Sequence, residues 1–254
     1  MPLSRFVSRR GIRLARNLLE TYFPGRAESV AFIANAESIA REAMRQVNPA
    51  LADKYALLVK FLADHPDAAS ATRSASAPLG TAEYVRRRAA AFAQSRAPKP
   101  PKPPKTVPDE MVSVILVASF GIAQGDVERV KREHLLSMGA ENLVGELLER
   151  YLASVMEPRG WVWCSGAMVK AVDFIKAPGA PGADWQLLQV KNRDNSENSS
   201  SSAIRIGTSI KKWHRTFSKK PGSNWAGFPD AALRRDLSED GFKEFVRGYL
   251  EDLR

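Results

Sequence analysis

The chain has 254 residues, 44% hydrophobic and 26% charged, a balance that fits a packed soluble fold and excludes the disordered and fibrous classes. Its 38 lysines and arginines against 28 acidic residues leave a formal charge of +10, which points to an anionic partner, nucleic acid first. The single cysteine, Cys164, excludes an internal disulfide, and three scattered histidines, His65, His134 and His214, argue against structural zinc.

The opening segment, residues 1–23, is Arg-rich and amphipathic like an organelle transit peptide, but it lacks serine enrichment and runs directly into helical sequence. It is expected to be the first helix of a protein in the reducing cytoplasm. Residues 28–47 and 51–65 space apolar side chains at three and four, and residues 81–95 are Ala-rich, so all three predict helices. APKPPKPPKTVP, residues 97–108, can be neither helix nor central strand, because proline lacks a donor and fixes φ. An extended basic linker or surface strap is expected there. The chain thus divides into an N-terminal helical region, 1–96, the linker, 97–108, and a second region, 109–254. Residues 109–121, 125–138 and 140–156 predict further helices. The apolar run at 112–122 is too short to span a bilayer and reads as a buried core element.

From residue 161 the period changes. WVWCSG (161–166) and MVKAVDFI (168–175) are rich in β-branched and aromatic residues and predict strands, KAPGAPGAD a loop, and WQLLQVKN (185–192) a third strand. AIRIGTSIKKWHRTF (203–217) reads as a helix, and residues 239–253 as an amphipathic closing helix. Helices, a β-meander and helices again make an α/β fold.

In the third strand, alternation puts Leu187, Gln189 and Lys191 on one face and Leu188 and Val190 on the other. In the second, Asp173 sits among Ala171, Val172, Phe174 and Ile175, where an unpaired carboxylate costs several kcal/mol. Pairing of these strands would bring Asp173 to Gln189 and Lys191. That grouping suits phosphodiester hydrolysis with Mg²⁺, a hard cation that takes oxygen ligands and keeps waters. Asp173 would be the central ligand, Gln189 would add an amide oxygen, Val190 its main-chain carbonyl, and Lys191 would stand at the attacking water. A neutral Gln189 leaves the site short of negative charge, so a helix carboxylate is expected. Glu141 lies nearly in register with the apolar stripe of Val144, Leu148 and Leu152, with Glu149 at its margin. Glu141 is the first choice and Glu149 the reserve; Glu141 would otherwise only favour a helix N-terminus.

SMGAENLVGELLERYLAS, WVWCSGAMVKAVDFI, LLQVKNRDNSENSSSSAIRIGTSIKKWHRTF and NWAGFP together resemble the SinI-type restriction endonucleases of the PD-(D/E)XK superfamily. The resemblance runs over roughly 137–229 and implies a restriction-endonuclease-like core, a mixed β-sheet flanked by helices. It implies a Mg²⁺-dependent, site-specific endonuclease of a restriction–modification system, cutting double-stranded DNA at GGWCC-like sites. Asp173 matches the superfamily's metal-binding aspartate and Lys191 its catalytic lysine, while Gln189 departs from the usual Asp or Glu. A palindromic site calls for a homodimer, and the biological companion would be a DNA methyltransferase of the same specificity.

The polar run after Lys191 then has a purpose, because chain leaving a scissile phosphate runs along DNA. Asn192, Arg193, Asn195 and Asn198 are candidates for base edges, Ser196 and Ser199 for phosphates, and Arg205, Lys211, Lys212 and Arg215 for gripping the backbone. A flexible Ser-rich loop is the alternative. Two rival functions remain at this stage: a structure-specific repair or recombination nuclease on the same core, and a non-catalytic DNA-binding protein.

Overall fold

The computed structural model describes residues 31–70, 76–102, 104–194 and 208–254. Among the described residues three helices come first: α1 (Ala36–Val47), α2 (Ala52–Asp64) and α3 (Ala82–Arg96). An extended proline-rich passage leads to α4 (Glu110–Phe120) and the long α5 (Val127–Met156). Then come β1 (Trp161–Trp163), β2 (Phe174–Lys176), β3 (Gln186–Arg193) and β4 (Ile210–Thr216), and α6 (Glu239–Glu251) closes the chain. The four strands form one mixed sheet in chain order, an antiparallel meander of β1, β2 and β3 with β4 parallel to β3. A mixed sheet flanked by helices, behind a helical N-terminal region, is the α/β architecture expected.

Strand alternation builds two cores. Leu188 and Val190 join Trp161, Trp163, Phe174 and Trp213 on one face, beneath Leu148 and Leu152 of α5 and Phe242 of α6. Val162, Ile175 and Leu187 turn to the other face and meet Tyr55, Phe61 and Phe92 of the N-terminal helices. Neither a sheet face nor a helix stripe excludes water alone, so α1–α3 serve as the second layer on this sheet. All five tryptophans are buried, the usual use of so much aromatic surface. No helix among the described residues is long and apolar enough to cross a membrane.

The junction between the layers is polar and directed. Arg150, buried in α5, donates to the carbonyls of Ser95, Arg96 and Ala97 at 2.7–2.9 Å, satisfying the C-terminus of α3 with a cation where the helix dipole favours one. Arg96 in turn pairs with Glu157 at 2.8 Å and lies over the rings of Phe92 and Trp163. Burial opposes charge on Glu157, but Arg96 and Lys54 outweigh it and hold this carboxyl below the usual range. Gly166 passes so close to α3 that a Cβ would lie 3.1 Å from the Ala91 carbonyl oxygen, and its φ of +83° is one that L side chains avoid. The linker is docked rather than free: Tyr249 bonds both the N–H and the carbonyl of Lys99.

Four segments differ from their predicted form. The described part of 203–217, Ile210–Thr216, is a strand: it pairs parallel to β3 and buries Trp213 in register with Val190. Only Phe174–Lys176 of 168–175 is strand, because Ala171 takes a left-handed φ of 56° and Val169 bridges instead to Ala69 of the helical region. The helices predicted at 125–138 and 140–156 are one helix of 30 residues, carried through Gly139 without a break. The run at 112–122, expected in the core, forms a helix with no buried residue. The helix expected at 1–23 lies outside the described residues.

Replacing Arg150 with methionine keeps the packing volume but removes five charge-assisted bonds, and should lower stability by about 2–4 kcal/mol. Urea unfolding checks this; an unchanged midpoint would mean that the clamp holds nothing.

Candidate active site

β2 and β3 separate just past the pair Phe174↔Leu188. Asp173 stands one residue beyond that pair, at the fork. Its main chain is still held on both sides, donating to the Leu188 carbonyl at 2.9 Å and accepting from the Cys164 N–H at 2.8 Å. With its backbone so fixed, Asp173 turns its carboxylate to β3, where Oδ2 accepts the Val190 N–H at 2.6 Å. N–H and C=O of one strand residue point to the same side, so the Val190 carbonyl also faces the fork. Burial pushes the Asp173 carboxyl above its usual range, against the Val190 hydrogen bond and the positive charge of Lys191.

α5 supplies a second carboxylate. Glu149 Oε2 accepts from Trp163 Nε1 at 2.8 Å, which turns the side chain inward. Burial, and then the charge of Asp173, push the Glu149 carboxyl up to about 7; Trp163 and Lys191 oppose the rise, and Glu146 adds to it. Asp173 and Lys191 are therefore close enough to Glu149 to act on its charge. Gln189 is 1% exposed and its Oε1 has no hydrogen-bond partner among the described residues, a costly state for an amide oxygen. The β2–β3 register, extended one step, puts Gln189 across from Asp173.

Glu141 stands elsewhere. It is exposed, about 12 Å up the α5 axis from Glu149, and lines an open groove of about 600 Å³ with Asn142, Asn192, Arg193, Arg215 and Lys220. Of the DNA-contact candidates, Asn192 and Arg215 meet each other: Asn192 Oδ1 accepts from Arg215 Nε and Nη2 at 3.0 and 2.9 Å. Arg215 also pairs with Glu239 and covers the Phe242 ring, so its guanidinium is occupied and holds the Asn192 side chain by its amide oxygen. Arg193 is exposed at the end of β3, Lys211 is exposed on β4, and half-buried Lys212 pairs in register with Gln189. Asn195, Ser196, Asn198, Ser199 and Arg205 lie outside the described residues. Sequence reasoning missed Trp163 as the partner of Glu149; its indole needs a hydrogen-bond acceptor when buried, and that was the available signal. It also missed Asn142, which only the folded groove brings to Asn192 and Arg215.

The donor set fits a hard divalent cation: two buried carboxylates, an amide oxygen without a partner among the described residues and a main-chain carbonyl, all oxygens. Among the described residues no group of three or more His, Cys, Asp or Glu side chains forms a metal cage, in keeping with a neutral Gln189 in the third position.

A mixed sheet with an aspartate at the fork, Gln189-x-Lys191 on the next strand and a carboxylate from the covering helix is the arrangement that the resemblance to PD-(D/E)XK nucleases leads one to expect. Known proteins narrow the class. Residues 36–252 match the family described as SinI restriction endonuclease, a span that takes in α1–α3 as well as the sheet. The chain is 51% identical over 230 residues to the type II restriction enzyme SinI of Salmonella infantis, which covers 90% of this chain and 100% of that protein. It is 50% identical over 226 residues to the type II restriction enzyme Eco47I of Escherichia coli, 88% of this chain and 98% of that one. The chain belongs to the SinI restriction endonuclease family.

The raised carboxyls carry a stability signature. A folded-state value of about 7 for Glu149 means that stability declines as pH rises from the ordinary carboxylate range through 7. With divalent ions chelated, Glu149→Gln should exceed wild type by about 2–3 kcal/mol at pH 8.5, and the gap should close near pH 4.5. Urea unfolding at both pH values checks this; a gap independent of pH would contradict the geometry.

Proposed function

We propose that the chain is a type II restriction endonuclease that hydrolyses phosphodiester bonds of double-stranded DNA at a specific site, with Mg²⁺. The observation that carries this reading is the meeting of Asp173, Glu149 and Lys191 at one sheet fork in a chain of net charge +10. The half-identical relatives, both type II restriction enzymes, support it along nearly their whole length.

Asp173 and Glu149 would hold the ion, with Gln189 Oε1 and the Val190 carbonyl as neutral oxygens. When bound, Mg²⁺ supplies an acidified water and offsets charge on the phosphoryl group. The Val190 and Trp163 N–H groups keep the two carboxylates aimed before substrate arrives, so little reorganisation is left for the reaction. Lys191, half-buried beside them, orients the nucleophilic water and neutralises a scissile-phosphate oxygen. Glu141 and Asn142, facing the groove, suit base edges, where a carboxylate accepts from a cytosine amino group. Asn192 and Arg193 face the same groove and would lead Asn195, Ser196, Asn198 and Ser199 along the duplex, while Arg205, Lys211 and Lys212 would hold phosphates. A GGWCC-like site, a homodimer, a methyltransferase companion and a cytoplasmic location complete the reading.

Digestion of a sequenced plasmid with Mg²⁺ should give discrete ends, and EDTA should abolish cutting. Asp173→Ala, Glu149→Ala and Lys191→Ala should each cost at least about 10²- to 10³-fold in rate, while Glu141→Ala should change site preference more than the metal requirement. Cutting confined to branched DNA, or a wild-type rate for Glu149→Ala beside an inactive Glu141→Ala, would overturn the assignment.

A further inference from the structure

Residues 97–108, APKPPKPPKTVP, carry three lysines and no acid, and none of the three has a part in the site described above. Every residue from 97 to 104 is a proline or precedes one. Proline fixes its own φ at about −65° and pushes the residue before it to extended ψ, so the sequence favours polyproline II. Ala97 enters the strap in that conformation, with φ −61° and ψ 142°. A polyproline II helix has three residues per turn, and Lys99, Lys102 and Lys105 recur at every third residue. Their side chains therefore leave along one edge, about 9 Å apart. All three lysines are exposed.

The strap is held at both ends and follows the helix that carries Glu149. At its start the Ala97 carbonyl accepts from Arg150 at 2.8 Å, and Tyr249 bonds both peptide groups of Lys99. At its end Thr106, Val107 and Pro108 stand against His134, Leu135 and Met138 of α5. Lys99 Nζ lies 3.7 Å from Glu146 Oε1, and Glu146 is one helical turn from Glu149. Between these two ends the strap passes the turn of Glu141 and Asn142, where the groove opens. A duplex that brings a phosphate to the fork and its bases to that groove lies along the same stretch of α5. The lysine charges are available to it. Glu146 is already held by Arg150 at 2.6 Å, and among the described residues neither Lys102 nor Lys105 has an acidic partner.

We infer that the strap is a phosphate rail, on which Lys99, Lys102 and Lys105 hold the DNA backbone beside the fork. The inference rests on the DNA reading proposed above and adds a contact surface to it. Proline sets the lysine spacing before DNA arrives, so binding has no loose loop to order. Phosphate contacts carry no sequence information, so the rail strengthens every duplex alike and does not help to choose the site.

The test is equilibrium binding of the full chain, with Ca²⁺ and across a salt series, to duplexes of about 30 base pairs with and without the cleaved sequence. Lys99 approaches Glu146, so the variants change the two outer lysines. Lys102→Gln combined with Lys105→Gln should weaken binding at least about tenfold at about 0.1 M salt, and should flatten the plot of log affinity against log salt by about 2 per chain. The loss should be equal on both duplexes, and Lys102→Arg combined with Lys105→Arg should keep the wild-type slope. A wild type that binds DNA with the same slope as the glutamine variant overturns the rail and leaves the nuclease reading standing. A loss confined to the duplex with the cleaved sequence also overturns the rail, because it would mark base reading. A wild type that binds neither duplex overturns the rail and the nuclease reading together.

Discussion

Two buried carboxylates, both raised above their usual range by burial, are held near a lysine, and the molecule is organised to keep them there. Asp173 is fixed by main-chain bonds on both sides and by the Val190 N–H, and Glu149 by the Trp163 indole. Burial raises both carboxyls, and the charge of Asp173 raises Glu149 further. Tolerating it makes sense where a cation of higher charge than Lys191 is to be received. Preorganised oxygen ligands and a lysine at the edge are what hydrolysis of a phosphodiester requires from a protein.

The N-terminal helices belong to this arrangement although they contribute no ligand. Trp163, which holds Glu149, lies against the guanidinium groups of Arg96 and Arg150. Arg150 is itself spent on the end of α3, and Arg96 on Glu157. Movement of α3 would therefore reach Glu149 through a single indole ring. The family match from residue 36 onward agrees with a helical layer that is part of the catalytic unit.

How far the sequence could be read follows from what periodicity measures. Strand alternation identified Leu188 and Val190 as core, and an acidic residue in an apolar strand singled out Asp173 before any coordinates. A helical period gives angle but not height. Glu141 and Glu149 occupy neighbouring angles on a helix roughly 45 Å long, and only packing against β1 and β3 shows which turn reaches the fork. β4 was misread because its lysines and arginine suggested a solvated helix face, whereas Trp213 and the pairing to β3 make it a strand. Ala171 escaped notice because nothing local predicts a left-handed alanine, and the long-range bridge from Val169 to Ala69 accompanies it. The proline-rich strap was legible as extended chain, but its docking on Tyr249 depends on a residue 150 positions away.

Calorimetry with Ca²⁺, in place of the catalytic ion and in several buffers near pH 6.5, tests the paired carboxylates most directly. A divalent ion entering between Asp173 and Glu149 must displace protons, so the observed heat should vary with the ionisation enthalpy of the buffer and report net proton release. In Glu149→Gln the release should fall away and affinity should weaken. Binding with no proton release, or at undiminished affinity in that variant, would contradict the account.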